Sequence, residues 1–295
     1  MNEIENTQTD TSITGIIARG PFRLPYRIEG NGHPTIVIGT SIYYQRAFSQ
    51  NLRDQLQLVF MDHRGCAQSP GQVDNAEFEL EKLIDDVECL RKELNLGRVA
   101  VIGHSGHSFM ALEYGKKYPQ HTSHVIMIGT SPTLGPDMME KAEKNWEANA
   151  TDDRKLAEKE NMQKLSDEAL SKLAPDQAFI QGYVRNAARV WYDPRYDCTT
   201  LWEGIAINMD MIGYVWGELF ADIDVTKGLE TFDRPVFMAL GRHDYIVGPP
   251  STWDPIIPRF KDITVNIFEK SGHTPQFEEP ELFDQELMGW MSKHS

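Results

Sequence analysis

The sequence predicts an α/β protein: a mostly parallel sheet of eight strands flanked by helices, with a helical insertion late in the chain. Three observations lead there. Short apolar runs rich in Val, Ile and Phe alternate with longer stretches of helical periodicity, the pattern of βαβ units. Eight such runs occur: "TGIIAR" (14–19), "LPYRIE" (24–29), "TIVIG" (35–39), "QLVFMD" (57–62), "RVAVIG" (98–103), "HVIMIG" (124–129), "PVFMAL" (235–240) and "ITVNIF" (263–268). Between about 132 and 233 the alternation lapses into helical spacing without a strand run, too long for an ordinary connection.

Taken in order, the first two runs read as an antiparallel hairpin feeding the sheet. Between the fourth and fifth, Leu80, Leu83, Ile84, Val87, Leu90 and Leu94 recur at helical spacing. They predict an amphipathic crossover helix with Gly97 as its C-terminal cap. The insertion is charged in its first half and loaded with Trp, Tyr and Met in its second. The last helix starts at "PELFDQELMGWM", with a proline suited to a first turn. These breaks divide the chain into a core domain (1–131 and 234–295) and a helical cap (132–233), with no internal repeat or low-complexity tract.

Composition narrows the function. Lys and Arg number 29 against 44 Asp and Glu, a formal net charge of −15. That field repels nucleic acid and anionic membrane surfaces, so the expected partner is a small molecule. Cys66, Cys89 and Cys198 are odd in number and lack CxxC spacing, which implies neither a disulfide framework nor a zinc knuckle and fits a reducing compartment. "MNEIENTQTDTS" carries no apolar core of a signal peptide, and nowhere do 18 apolar residues run together, so the expected location is cytoplasmic. Whether the chain forms a homo-oligomer stays open.

The chemistry concentrates after the fifth run, in "GHSGHSFMALEYG". Strand, sharp turn and helix in succession lift a serine hydroxyl above the strand ends and aim a helix N-terminus at it. Ser105 occupies that turn, whereas Ser108 falls one helical turn on, where serines bond back to the backbone. The G-x-S-x-G pattern becomes Gly103, His104, Ser105, Gly106, His107. His107 stands where a small residue normally permits close strand–helix approach, so local loosening is expected there, with Gly106 supplying slack.

Three further stretches carry a resemblance. "LVFMDHRGCAQS" is similar to a D-x-R-G-x-G-x-S turn, "LGRHDYIVGP" to a late-strand turn bearing an acid, and "SGHTPQFEEPELF" to the loop G-H-x-x-x-x-E-x-P-x-x-F. With the serine turn, they make nearly the whole chain resemble an α/β-hydrolase of the serine-hydrolase kind, near the prolyl aminopeptidase and carboxylesterase branch with a helical cap. The resemblance implies a catalytic Ser105, Asp244 and His273, in the Ser…Asp…His order of that fold. Serine would attack, histidine accept its proton, and aspartate hold the histidine tautomer.

An oxyanion needs fixed donors. The Gly106 N–H at the helix start is the first expected, and the loop "GTS" (39–41) supplies Ser41 or Thr40 as the second. "AARVWYDPRYDCTTLWEG" resembles the A-A-x-x-W…W-E-G stretch of the prolyl aminopeptidase cap, which implies Glu203, and with it Glu218, as receivers of a substrate amine. His104, Trp191, Trp202 and Trp216 complete the expected substrate-binding set. No metal is expected: His104 and His107 with His243 or His273 could be imagined as ligands, but a metal would occupy the general base. No cofactor is needed either, since the reaction asks only for water.

The expected activity is hydrolysis of a small ester or amide through an acyl-enzyme, as a carboxylesterase or prolyl aminopeptidase. The alternatives are lyase or acyltransferase chemistry on the same fold, or a ligand-binding protein without catalysis.

Overall fold

The computed structural model describes residues 12–67, 71 and 73–294. The N-terminal stretch read above for the lack of a signal peptide lies, but for its last residue, outside the described residues, as does the end of the "DHRGCAQS" turn.

Eight strands form one sheet: β1 (Ile13–Arg19), β2 (Phe22–Glu29), β3 (His33–Gly39), β4 (Leu56–Asp62), β5 (Val99–His104), β6 (Thr122–Ile128), β7 (Val236–Gly241) and β8 (Ile263–Phe268). Their order is β1-β2-β4-β3-β5-β6-β7-β8. β1 and β2 form the expected hairpin, and β2 meets β4 antiparallel. From β4 onward every pairing is parallel.

The central strands read as continuous apolar runs because both faces are covered. In β5, Val99 and Val101 join one hydrophobic cluster while Ala100 and Ile102 join the cluster on the other face. β7 divides in the same way, Val236 and Met238 against Phe237 and Ala239. This is the period-two alternation of a strand with both faces in the core.

The crossover helix spans Leu80–Glu93. It does not stop at Gly97: the left-handed residue is Asn95, at φ 50°, and Leu96 N–H turns back onto the Arg91 carbonyl. Asparagine tolerates that conformation through its short polar side chain.

Between β6 and β7 the described chain is helical and adds no strand. Its helices include Pro136–Asn149, Asp152–Lys164, Pro175–Arg185 and Met209–Tyr214, the last running into a π-helical turn over Val215–Leu219. Among the described residues, no helix is long and apolar enough to cross a membrane.

The strand order decides where a site can form. The chain moves outward from β3 to β4, then crosses back to β5 on the other side of β3. The loops leaving β3 and β5 therefore diverge and open a crevice at their carboxyl ends, where open α/β sheets bind ligands.

Candidate active site

Ser105 follows β5 directly, and helix His107–Lys117 begins two residues later. Its φ is 57°, and Asn95 is the one other non-glycine at positive φ among the described residues. A side chain in that region is strained, and it persists here because strand and helix fix both ends of the turn. Gly103 makes the tightness feasible: a Cβ there would lie 2.1 Å from the His107 carbonyl oxygen and 2.6 Å from the Ser108 nitrogen. Ser108 is fully buried, its hydroxyl on the Gly103 carbonyl at 2.9 Å and the Ile128 carbonyl at 3.2 Å. It ties the helix to β5 and β6 and is no candidate for attack.

The expected loosening at His107 is absent. Close approach occurs at Gly103, while the His107 ring turns toward the end of β3. Room for it comes from Gly39, at φ 146°, where an added Cβ would lie 3.2 Å from His107 Cε1 and 2.2 Å from Tyr44 Cε2. The small size of Gly106 answers a different neighbour, since a Cβ there would fall 2.6 Å from Trp216 Nε1.

Asp244 and His273 leave the ends of β7 and β8 and are both buried. His273 Nδ1–H donates to Asp244 Oδ2 at 2.7 Å, which in the neutral imidazole puts the lone pair on Nε2. That Nε2 is buried without a partner. Ser105 and His273 border one cavity of about 140 Å³, but no hydrogen bond joins the serine hydroxyl to the imidazole in this structure. His104 braces the histidine from below: its Nε2–H donates to the His273 carbonyl at 2.8 Å, and the two rings lie 4.7 Å apart.

Of the expected main-chain donors, Ser41 is already committed. Its N–H reaches Asp62 Oδ1 at 2.5 Å, and its side chain is not on the cavity wall. Asp62 is buried, and desolvation raises its carboxyl to about 6 against the pull of that N–H. Thr40 does line the cavity, beside Ser105. Neither Thr40 N–H nor Gly106 N–H has an acceptor among the described residues.

Trp191, Trp202, Trp216 and His104 all border the cavity. Trp216 gets there from the π-helical turn, a local over-widening often found at functional sites. Glu203 does not: it is exposed, off the cavity wall, and its carbonyl accepts from Arg46. Glu218 is exposed as well. Trp202 is the last residue of the short helix Thr199–Trp202, and Glu203, its C-cap, lies at the exposed end. Among the described lining residues none is Asp or Glu.

Sequence reasoning passed over Tyr43, Tyr44 and His63, which also border the cavity. The available signal was position, directly after the carboxyl ends of β3 and β4. Burial pushes the His63 imidazole down to about 3, so it is neutral. Its Nδ1 accepts from Gly65 N–H and its Nε2–H faces Cys66 Sγ at 3.5 Å. Desolvation raises the Cys66 thiol, which is therefore not a thiolate.

Comparison with known proteins agrees with this layout. A family model for the alpha/beta hydrolase fold matches residues 30–280. The chain is 37% identical over 279 residues to the AB hydrolase superfamily protein YclE of Bacillus subtilis (strain 168), covering 95% of this chain and 99% of that one. It is 25% identical to a proline iminopeptidase of Heyndrickxia coagulans over 86% of this chain and 89% of the relative. Among solved structures, the proline iminopeptidase of Mycobacterium smegmatis superposes with a TM-score of 0.70 at 16% identity, over 96% of this chain and 98% of that one. An alpha/beta fold family hydrolase from Bacillus anthracis gives 0.69 at 19%, covering 96% and 99%. The chain belongs to the α/β-hydrolase fold family, near its proline iminopeptidase branch, and that membership supports a hydrolytic enzyme.

Proposed function

We propose that the protein is a cofactor-independent serine hydrolase that cleaves a small, uncharged ester or amide through an acyl-enzyme. The observation that carries the reading is the 2.7 Å Asp244–His273 bond, which engages Nδ1 and leaves Nε2 buried and unpaired in a histidine that, like Ser105, borders the cavity. In this reading, His273 Nε2 takes the proton of the Ser105 hydroxyl as it attacks the carbonyl and returns it to the leaving group. A water then enters by the same route, and Asp244 steadies the imidazolium in both halves. The bond between hydroxyl and imidazole is the one the reading adds, and such catalytic bonds commonly tighten only with substrate bound.

Gly106 N–H and Thr40 N–H are the proposed oxyanion donors, replacing the expected Ser41. An oxyanion held by two main-chain donors in a dry site gains more than it would in water. The cavity's tyrosines, tryptophans and neutral imidazoles favour an acyl or leaving group without charge. A substrate ammonium would find no carboxylate there, and burying it unpaired is costly. That argues for an ester or amide over a free N-terminal amine, although the relatives named above include proline iminopeptidases.

Reaction with a fluorophosphonate probe, followed by peptide mapping, tests the assignment. Stoichiometric labelling of Ser105, lost in Asp244→Asn at equal folding, is the expected result. Labelling elsewhere, or none alongside no turnover of short p-nitrophenyl esters, would favour a ligand-binding role.

A further inference from the structure

His107 holds a hydrogen-bond acceptor that the protein itself leaves unused. Its Nδ1 lies 3.1 Å from the His104 carbonyl and 3.2 Å from the Tyr44 hydroxyl. A carbonyl only accepts, so Nδ1 carries the proton. The neighbours agree. His104 Nε2–H is spent on the His273 carbonyl, so His104 Nδ1 accepts the Tyr44 hydroxyl proton at 3.1 Å, and the Tyr44 oxygen is left to accept from His107. His107 Nε2 is then a lone pair, buried and without a partner. Burial, with the imidazoles of His63 and His104 alongside, keeps this ring neutral. The residue borders the same cavity as Ser105 and stands edge-on to Trp216, ring centres 5.1 Å apart.

An orphaned buried acceptor is a standing cost unless something occupying the site satisfies it. The fixed tautomer means only a donor can do so. The absence of Asp or Glu from the described lining residues argues that the donor is uncharged.

We propose that His107 is a specificity determinant: its Nε2 accepts a hydrogen bond from an uncharged hydroxyl or N–H on the substrate, so hydroxylated small esters are preferred over plain alkanoyl ones. This rests on the serine-hydrolase reading above for its turnover assay, but not for its binding assay. The histidine at the elbow is thereby explained as a recognition group in the place usually kept small. Leaving a built acceptor unpaired discriminates strongly against the substrate that lacks the donor, here by about tenfold or more in kcat/KM.

The test compares p-nitrophenyl 3-hydroxybutyrate with p-nitrophenyl butyrate, each rate normalised to its hydroxide-catalysed hydrolysis, in the native protein and in His107→Gly and His107→Phe. The expected result is a preference of about tenfold or more for the hydroxy ester that falls toward unity in both variants. A residue that only packs would shift both esters together and leave the ratio intact, which would overturn the proposal, as would a ratio near one in the native protein. The second assay uses Ser105→Ala and follows tryptophan fluorescence on adding 3-hydroxybutyramide or butyramide. Tighter binding of the hydroxylated amide, abolished by adding His107→Phe, sustains the proposal even if neither ester turns over; in that case the nucleophile assignment fails alone. Should both His107 variants fail to fold, the ¹⁵N resonance of His107 Nε2 in Ser105→Ala decides. It moves with 3-hydroxybutyramide and not with butyramide if the proposal holds, and lack of movement refutes it.

Discussion

Replacing Ser105 by glycine and, separately, by alanine sets the backbone of the serine turn against its chemistry. Ser105 is held at φ 57°. A residue with a Cβ in the left-handed region costs about 1–2 kcal/mol. Glycine removes that cost but is freer in the unfolded chain, which takes back about 0.5–1 kcal/mol. The difference leaves Ser105→Gly more stable than Ser105→Ala by about 0.5–1 kcal/mol. Alanine keeps the strain and loses only a hydroxyl that bonds to no described residue, so it should match the native protein within about 0.5 kcal/mol. Urea denaturation followed by tryptophan fluorescence measures both. In a chain of this size the gap corresponds to roughly 1–3 °C in Tm. Both variants should also lose fluorophosphonate labelling. Alanine equal to or more stable than glycine would refute the claim that the turn is strained at this residue, and labelling that survived in both would move the nucleophile elsewhere.

Two other perturbations are informative. Ser108→Ala removes the hydroxyl that ties the helix to the Gly103 and Ile128 carbonyls and should cost about 1–3 kcal/mol while Ser105 still reacts with the probe; undiminished stability in urea would contradict the stitching role. Asp62→Asn tests pH linkage. The folded carboxyl binds its proton more tightly than the unfolded one, so its contribution is full below about pH 4 and is lost as pH rises through about 6. Relative to the native protein, the asparagine variant should therefore gain about 2–2.5 kcal/mol between pH 4 and 7. Parallel stability curves for the two proteins would show that Asp62 titrates normally.

The sheet was legible because continuous apolar runs such as "RVAVIG" and "PVFMAL" have few other ways to satisfy both faces. The serine turn was legible because it joins such a run to a helical pattern. Local chemistry was harder. Asn95 stops the crossover helix two residues before the glycine that propensity favours, since either residue can take positive φ. Ser41 was a reasonable donor from its place after β3, but its N–H is captured by Asp62, 21 residues away in sequence, and only the register of β3 against β4 brings the two together. Glu203 follows a tryptophan that does reach the cavity, yet it caps the end of the Thr199–Trp202 helix, exposed and off the cavity wall. His107 raised the right question at the wrong contact: the space it needs comes from Gly39, on a different strand.

The loop that carries His273 is stitched to the helices between β6 and β7. His273 N–H donates to the Val190 carbonyl at 2.6 Å. Glu278 accepts from Tyr192 N–H at 2.5 Å and from Gly272 and Thr274 N–H at 3.0 Å each. Anyone exchanging that insertion for a relative's to retune selectivity would thus also be replacing the main-chain pegs of the imidazole. A chimera that kept Val190 to Tyr192 native would preserve the mounting while the rest of the graft was varied.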